Sequence, residues 1–144
     1  MTKDDVFFTA TVIECAARTT KNTRRRIAEA LGVDGIAHQI EFADVNHCLP
    51  LAQAAYELVE DYHIEDGNTD TVSTCLYKVP SVTAIGKFYM RLTIRLSSSP
   101  DEWAKRLYEV LTSPLSDLIS DFNSAMYYTQ TDELLYFYEK LTKR

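Results

Sequence analysis

Apolar positions in the first twenty residues recur at helical spacing: Val6, Ala10, Ile13 and Ala17 stand at i, i+4, i+7 and i+11. Phe8, Val12 and Cys15 widen that face and leave only Thr11, Glu14 and Arg18 as a polar stripe, so the pattern predicts a helix central to the core. Glu14 precedes Arg18 by four residues, the order in which an ion pair supports a helix. A second helix is expected from a cap at Asn22 or Thr23 through Leu31, where Gly32 supplies a left-handed stop. A third starts near Asp34 and sets Ile36, Ile40 and Ala43 on one side. In the fourth, Pro50 takes the first helical position. Leu51, Ala55, Leu58 and Tyr62 then turn inward, and Gln53, Glu57 and Glu60 face water.

The run Glu65-Asp66-Gly67-Asn68 breaks the pattern and reads as a loop. Residues 71–79 are rich in β-branched side chains and end at Pro80, so they are expected to be extended or irregular. From there Val82, Ile85, Tyr89, Leu92 and Leu96 keep helical period, although residues 88–97 also alternate as a strand would. The smooth continuation from the first half favours helix. Ser99-Pro100-Asp101-Glu102 has the form of a capping box ahead of Trp103, Leu107 and Val110. Ser113-Pro114 opens a helix with Leu115, Leu118 and Phe122, and Thr131 opens a last one with Leu134, Tyr138 and Leu141 inward. The expectation is an all-α fold: seven or eight short helices in one domain over residues 1–144, with a small extended segment near 71–79. Residues 65–79 are the only seam.

Composition agrees with a globular chain, at 46% apolar and 25% charged residues. No apolar run approaches the roughly 20 residues that span a bilayer, and the first residues lack the order of a signal peptide. Cys15, Cys48 and Cys75 are odd in number and far apart, which points to reduced thiols in the cytoplasm. The net charge of −6 disfavours general binding to nucleic acid or anionic membrane.

Charge is nevertheless segregated. Five of the fifteen Lys and Arg fall between Arg18 and Arg26, namely Arg18, Lys21, Arg24, Arg25 and Arg26. From Ile27 to Tyr77 there is no Lys or Arg, but ten Asp and Glu and all three histidines. Arginines in the first turn of a helix oppose the positive end of its dipole, each by roughly 0.3–1 kcal/mol when exposed. An anion docking there would relieve that repulsion, because free N–H groups and guanidinium forks both suit carboxylate or phosphate. The competing reading is neutralisation by the protein's own ten-acid stretch, within one chain or between copies.

Other constellations carry less. Lys87, Arg91 and Arg95 form a second basic row at i, i+4 and i+8, either a solvated face or a partner surface. Asp44, His47 and Cys48 have helical spacing for zinc but lack a fourth ligand; His38 lies on the opposite side, and Pro50 ends the helix nearby. No metal and no cofactor is expected. Tyr127, Tyr128, Tyr136, Phe137 and Tyr138 cannot all face one core, so some are candidates for an interface, including one between copies. Residues 22–46 have the outline of a helix-turn-helix, yet the helix that would enter DNA offers Asp34, Glu41 and Asp44 and no cation. No nucleophile or general base is recommended by spacing, so an enzyme is not the expected class.

The run Ile13-Glu14 through Arg18-Thr19-Thr20-Lys21-Asn22, with Ala30-Leu31-Gly32, Phe42-Ala43-Asp44-Val45 and His47-Cys48, resembles a group of short uncharacterised bacterial proteins. Val79-Pro80-Ser81, Ile85-Gly86-Lys87 and residues 123–128 extend the resemblance over most of the chain. Genes of that kind often neighbour toxin–antitoxin or mobile-element genes, which implies a partner-binding regulator by association. The expectation is a non-enzymatic helical interaction module, antitoxin-like or immunity-type, that binds an acidic protein through the basic helix start. The alternative is a DNA-associated regulator using residues 22–46.

Overall fold

A computed structural model describes residues 1–70, 72, 73, 75, 76, 78–121 and 130–142. The fold is all-α. In chain order the helices among these residues are α1 (Lys3–Thr20), α2 (Arg24–Glu41), α3 (Ala43–Asn46), α4 (Leu51–Asp61), α5 (Val82–Leu96), α6 (Trp103–Leu111), α7 (Pro114–Ser120) and α8 (Thr131–Thr142). One 3₁₀ turn, Pro100–Glu102, precedes α6.

α1 is the axis. A capping box starts it: the Thr2 hydroxyl accepts from the Asp5 N–H and the Asp5 carboxylate accepts from the Thr2 N–H. It packs on α5, α2, α4 and α3, most extensively on α5. With neighbours on so many sides, even its polar stripe lies inside: Thr11 and Glu14 are buried along with Val6, Ala10, Ile13 and Ala17. The close approach of α5 is made possible by Gly86. A Cβ there would collide with the Thr11 side chain and lie 3.0 Å from the Thr11 Cα. α2 in turn packs on α6, so one continuous apolar cluster draws on residues from Val6 to Leu134. The loop after α4 folds back on the α1–α2 turn. The Asn22 amide donates to the Glu65 carbonyl, and the N–H groups of Gly67 and Thr69 donate to the carbonyls of Thr20 and Lys21.

Residues 82–96, where helix and strand competed, are helical, with Ile85, Tyr89 and Leu92 buried on one face. Three local expectations are corrected. The break at Gly32 is not among them: with a left-handed φ of 68° it stops the first helical segment of α2 as expected, and a second segment follows across a kink. The third helix, expected to carry Ala43 with Ile36 and Ile40, ends at Glu41, and Phe42 separates it from the single turn of α3 that holds Ala43. Ser99 makes no side-chain cap; the Glu102 carboxylate instead accepts from the Ser98 N–H, so Pro100 opens a 3₁₀ turn and α6 begins at Trp103. Leu141, expected inward, is exposed. Pro50 serves as the N-cap of α4, one position ahead of the expected register. Asp70 organises part of the irregular segment: its carboxylate accepts from the Val72 and Ser73 N–H groups, and those bonds hold its pKa below the usual carboxylate range. Phe122, Tyr127 and Tyr128 lie outside the described residues.

Candidate functional site: an arginine clasp and a basic groove

The five cations between Arg18 and Arg26 do not form one face. Thr23 caps α2 by accepting from the Arg26 N–H, and this sets Arg24 at the first helical position, turned into the protein. Arg24 is 3% exposed and Glu14, 2% exposed, meets it from α1. The Glu14 carboxylate accepts from Arg24 Nε at 2.9 Å on one oxygen and from Arg18 Nε at 2.9 Å on the other. Arg24 Nη1 donates to the Ser116 carbonyl at 3.1 Å and to the Ser120 hydroxyl at 2.9 Å, tying α1 and α2 to α7. Its guanidinium also lies 5.2 Å from the centre of the Tyr89 ring, a cation–π contact from α5. Burial alone would lower the pKa of Arg24, but the charge and hydrogen bond of Glu14, together with the Tyr89 phenol, outweigh it and hold the proton more tightly than in water. For the Tyr89 phenol the balance is opposite: burial pushes its pKa up, and the Arg24 charge only partly holds it down.

Arg25 points outward and pairs with Asp117 of α7 through both nitrogens of its fork, at 3.1 and 2.7 Å. Two corrections follow for the expected docking corner. Arg24 cannot meet a partner and Arg18 is held by the buried Glu14, while Arg25 is turned toward α7 in a partly exposed pair with Asp117. The ion-paired acids, Glu14 and Asp117, lie outside the acid-rich stretch of residues 27–77, while Glu29 and Asp70 of that stretch act by charge on Arg25 and Lys21. Only Lys21, in the left-handed position that ends α1, and Arg26 remain exposed there.

The second basic row is differently placed. Lys87, Arg91 and Arg95 are all exposed on α5. Arg91 and Arg95 border a groove of about 300 Å³ together with Lys3, Met90, Ile94 and Thr131. Met90 and Ile94 are half-buried and give it an apolar floor. Lys3 reaches it from the start of α1 and Thr131 from the start of α8. Arg95 donates to Asp132 at 2.6 Å across its outer edge, an exposed pair of little energetic weight. Lys3 and Arg91 form no ion pair among the described residues. Lys87 extends the row by one turn. Lys3 escaped notice in the sequence because a lone Lys near a terminus has no pattern around it.

The remaining candidates separate. His47 closes α3 and its ring stands nearly perpendicular to that of Phe8, with centres 6.5 Å apart, and among the described residues no three His, Cys, Asp or Glu gather as a metal set. No disulfide joins Cys15, Cys48 and Cys75. The segment of α2 after Gly32 buries Ile36 and Ile40 and exposes Asp34 and Glu41, without a Lys or Arg. On α8, Tyr136 and Phe137 are exposed, with rings 6.0 Å apart, and Lys140 lies over Tyr136. Among the described residues no helix is long and apolar enough to cross a membrane. No protein-family model, curated protein or solved structure matches the chain.

Proposed function

We propose that this is a non-enzymatic helical interaction module whose partner is an acidic protein segment, docked in the groove beside α5. The observation that carries this reading is a cationic rim, Lys3, Arg91 and Arg95, around an apolar floor of Met90 and Ile94, on a protein of net charge −6. An amphipathic helix with one apolar and one acidic face is the shape and chemistry such a groove accepts. Rim cations of this kind speed encounter and set partner sign, and the apolar floor provides the area that holds the complex. The acidic partner expected from the sequence is kept, but its docking place moves from the start of α2 to α5. An antitoxin-like or immunity-type regulator, which acts by covering a partner surface, is the class this outline serves.

The test is fluorescence anisotropy with a labelled, Leu- and Glu-rich amphipathic helical peptide, titrated from low to high salt. Saturable binding that weakens steeply with salt is expected, because exposed charges are screened within about 10 Å at 0.1 M. A random DNA duplex run in parallel should bind more weakly at every salt concentration. Tighter binding of the duplex, with a steep salt slope, would favour the DNA-associated alternative over residues 22–46.

A further inference from the structure

We propose that a second cleft, between α1, α2 and α4, is a binding site for an organic cation: an alkylammonium or guanidinium group on an apolar stem. The cleft encloses about 210 Å³, below the range of drug-sized pockets, and so fits a small ligand or one side chain. Phe8, Val12 and Leu58 contribute apolar lining from α1 and α4. Phe42, at the end of α2, is 43% exposed, and its ring is tilted against that of His38 one turn earlier, with centres 4.6 Å apart. Glu57 and Asp61 of α4, also one turn apart, line the same cleft. An apolar stem in contact with the lining would carry a terminal cation between an aromatic ring and two carboxylates, the pairing that stabilises ammonium and guanidinium groups.

Two further observations exclude the alternatives. Among the described residues no Lys or Arg lines the cleft, and none occurs in the sequence from Ile27 to Tyr77. Glu57 and Asp61 therefore pair with no cation among the described residues; the nearest polar contact of Glu57 is a long 3.5 Å approach from the Gln53 amide. An anion would meet uncompensated carboxylates, and a divalent metal would find no converging third ligand among the described residues. The α5 groove has the opposite charge and shares no residue with this cleft, so the two sites stand or fall separately.

The cation could arrive free or on a protein, and the probes separate these. Isotopically labelled full-length protein is titrated with agmatine, with a short peptide bearing one central Lys, and with pentanamide as a neutral control. Saturable shifts of the backbone signals of Phe8, Phe42, Glu57 and Asp61 are expected with one of the two cationic probes and not with the amide. Tighter binding of agmatine identifies a free amine as ligand; tighter binding of the peptide identifies a basic side chain. The double variant Glu57→Gln/Asp61→Asn, altered only at exposed positions, should weaken that binding at least tenfold, and Phe42→Leu several-fold. Asp101→Asn, which removes an exposed carboxylate elsewhere, should leave it unchanged. Circular dichroism confirms that each variant is folded. Absence of saturable shifts with both cations, equal binding of the amide, or an unchanged double variant overturns the proposal.

Discussion

A guanidinium in the first turn of a helix faces the positive end of the dipole, and Arg24 resolves that conflict by turning inward to a carboxylate. The cost of burying the charge is offset only because its partners are complete: Glu14, the Ser116 carbonyl, the Ser120 hydroxyl and the Tyr89 ring. Removing one member of a buried pair strands the other, at about 3–5 kcal/mol. Glu14→Gln and Arg24→Met should therefore each cost several kcal/mol in urea denaturation. The double variant should cost less than the sum, with a coupling on the order of 1–3 kcal/mol. Additive, small losses would mean that Arg24 is hydrated and the clasp absent. Tyr89 gives a pH signature. Its phenol pKa is raised on folding above the ordinary 10.0, so the unfolded chain ionises it first. The stability linked to its neutral form is fully present below about pH 10 and is lost as pH climbs through the folded value. The stability of Tyr89→Phe relative to wild type should therefore rise between about pH 9 and 11, measured as urea midpoints. The Glu14–Arg18 pair was legible from its i,i+4 spacing on the polar stripe of α1; the burial of Glu14 was not. Nor was its link to Ser116 and Ser120, because those partners lie 92 and 96 residues from Arg24 and only the tertiary fold brings them close.

Among the elements, α1 and α5 decide the architecture, and their contact turns on one glycine. In an exposed helix interior, Gly to Ala would gain about 1 kcal/mol from propensity. Gly86→Ala should instead destabilise by about 1–3 kcal/mol, since the added methyl meets the Thr11 backbone and no rotamer change relieves it. Adding Thr11→Ala should restore part of the loss, because it removes the hydroxyl from the clash; thermal denaturation of the three variants reads this. The α2 cap makes a smaller case: Thr23→Ala should cost about 1 kcal/mol through the Arg26 N–H it leaves unsatisfied. Periodicity was enough to place α1, α4 and α5, where apolar spacing is sustained over several turns. It failed where a short-range motif had two outcomes. Ser99 could cap or not, and Pro100 led into a 3₁₀ turn in which Glu102 bonds to Ser98. Leu141 matched the inward period of α8, but its last turns have less of the core to cover them.

At the scale of the whole molecule, charge segregation along the chain became a division of roles across the surface. Basic residues crowded in sequence were dispersed by the fold: Arg24 to the interior, Arg18 to Glu14, Arg25 to α7. Basic residues spread in sequence were gathered: Lys3 joins Arg91 and Arg95 across the α1–α5 packing. Density along the chain was thus a poor guide to density in space, because helical rotation turns consecutive residues about 100° apart while distant elements converge. The acid-rich stretch stayed together, since α2, α3 and α4 are neighbours around α1, and it borders the second cleft.

The most direct test is one comparison of affinity for the acidic helical peptide between two charge-reversed proteins. Arg91→Glu/Arg95→Glu inverts the groove; Lys21→Glu/Arg26→Glu inverts the exposed remnant of the arginine cluster. The groove variant should bind at least tenfold more weakly than wild type, with the other variant within about twofold; tenfold corresponds to roughly 1.4 kcal/mol. Equal losses, or a larger loss at Lys21 and Arg26, would contradict it and return the docking face to the start of α2.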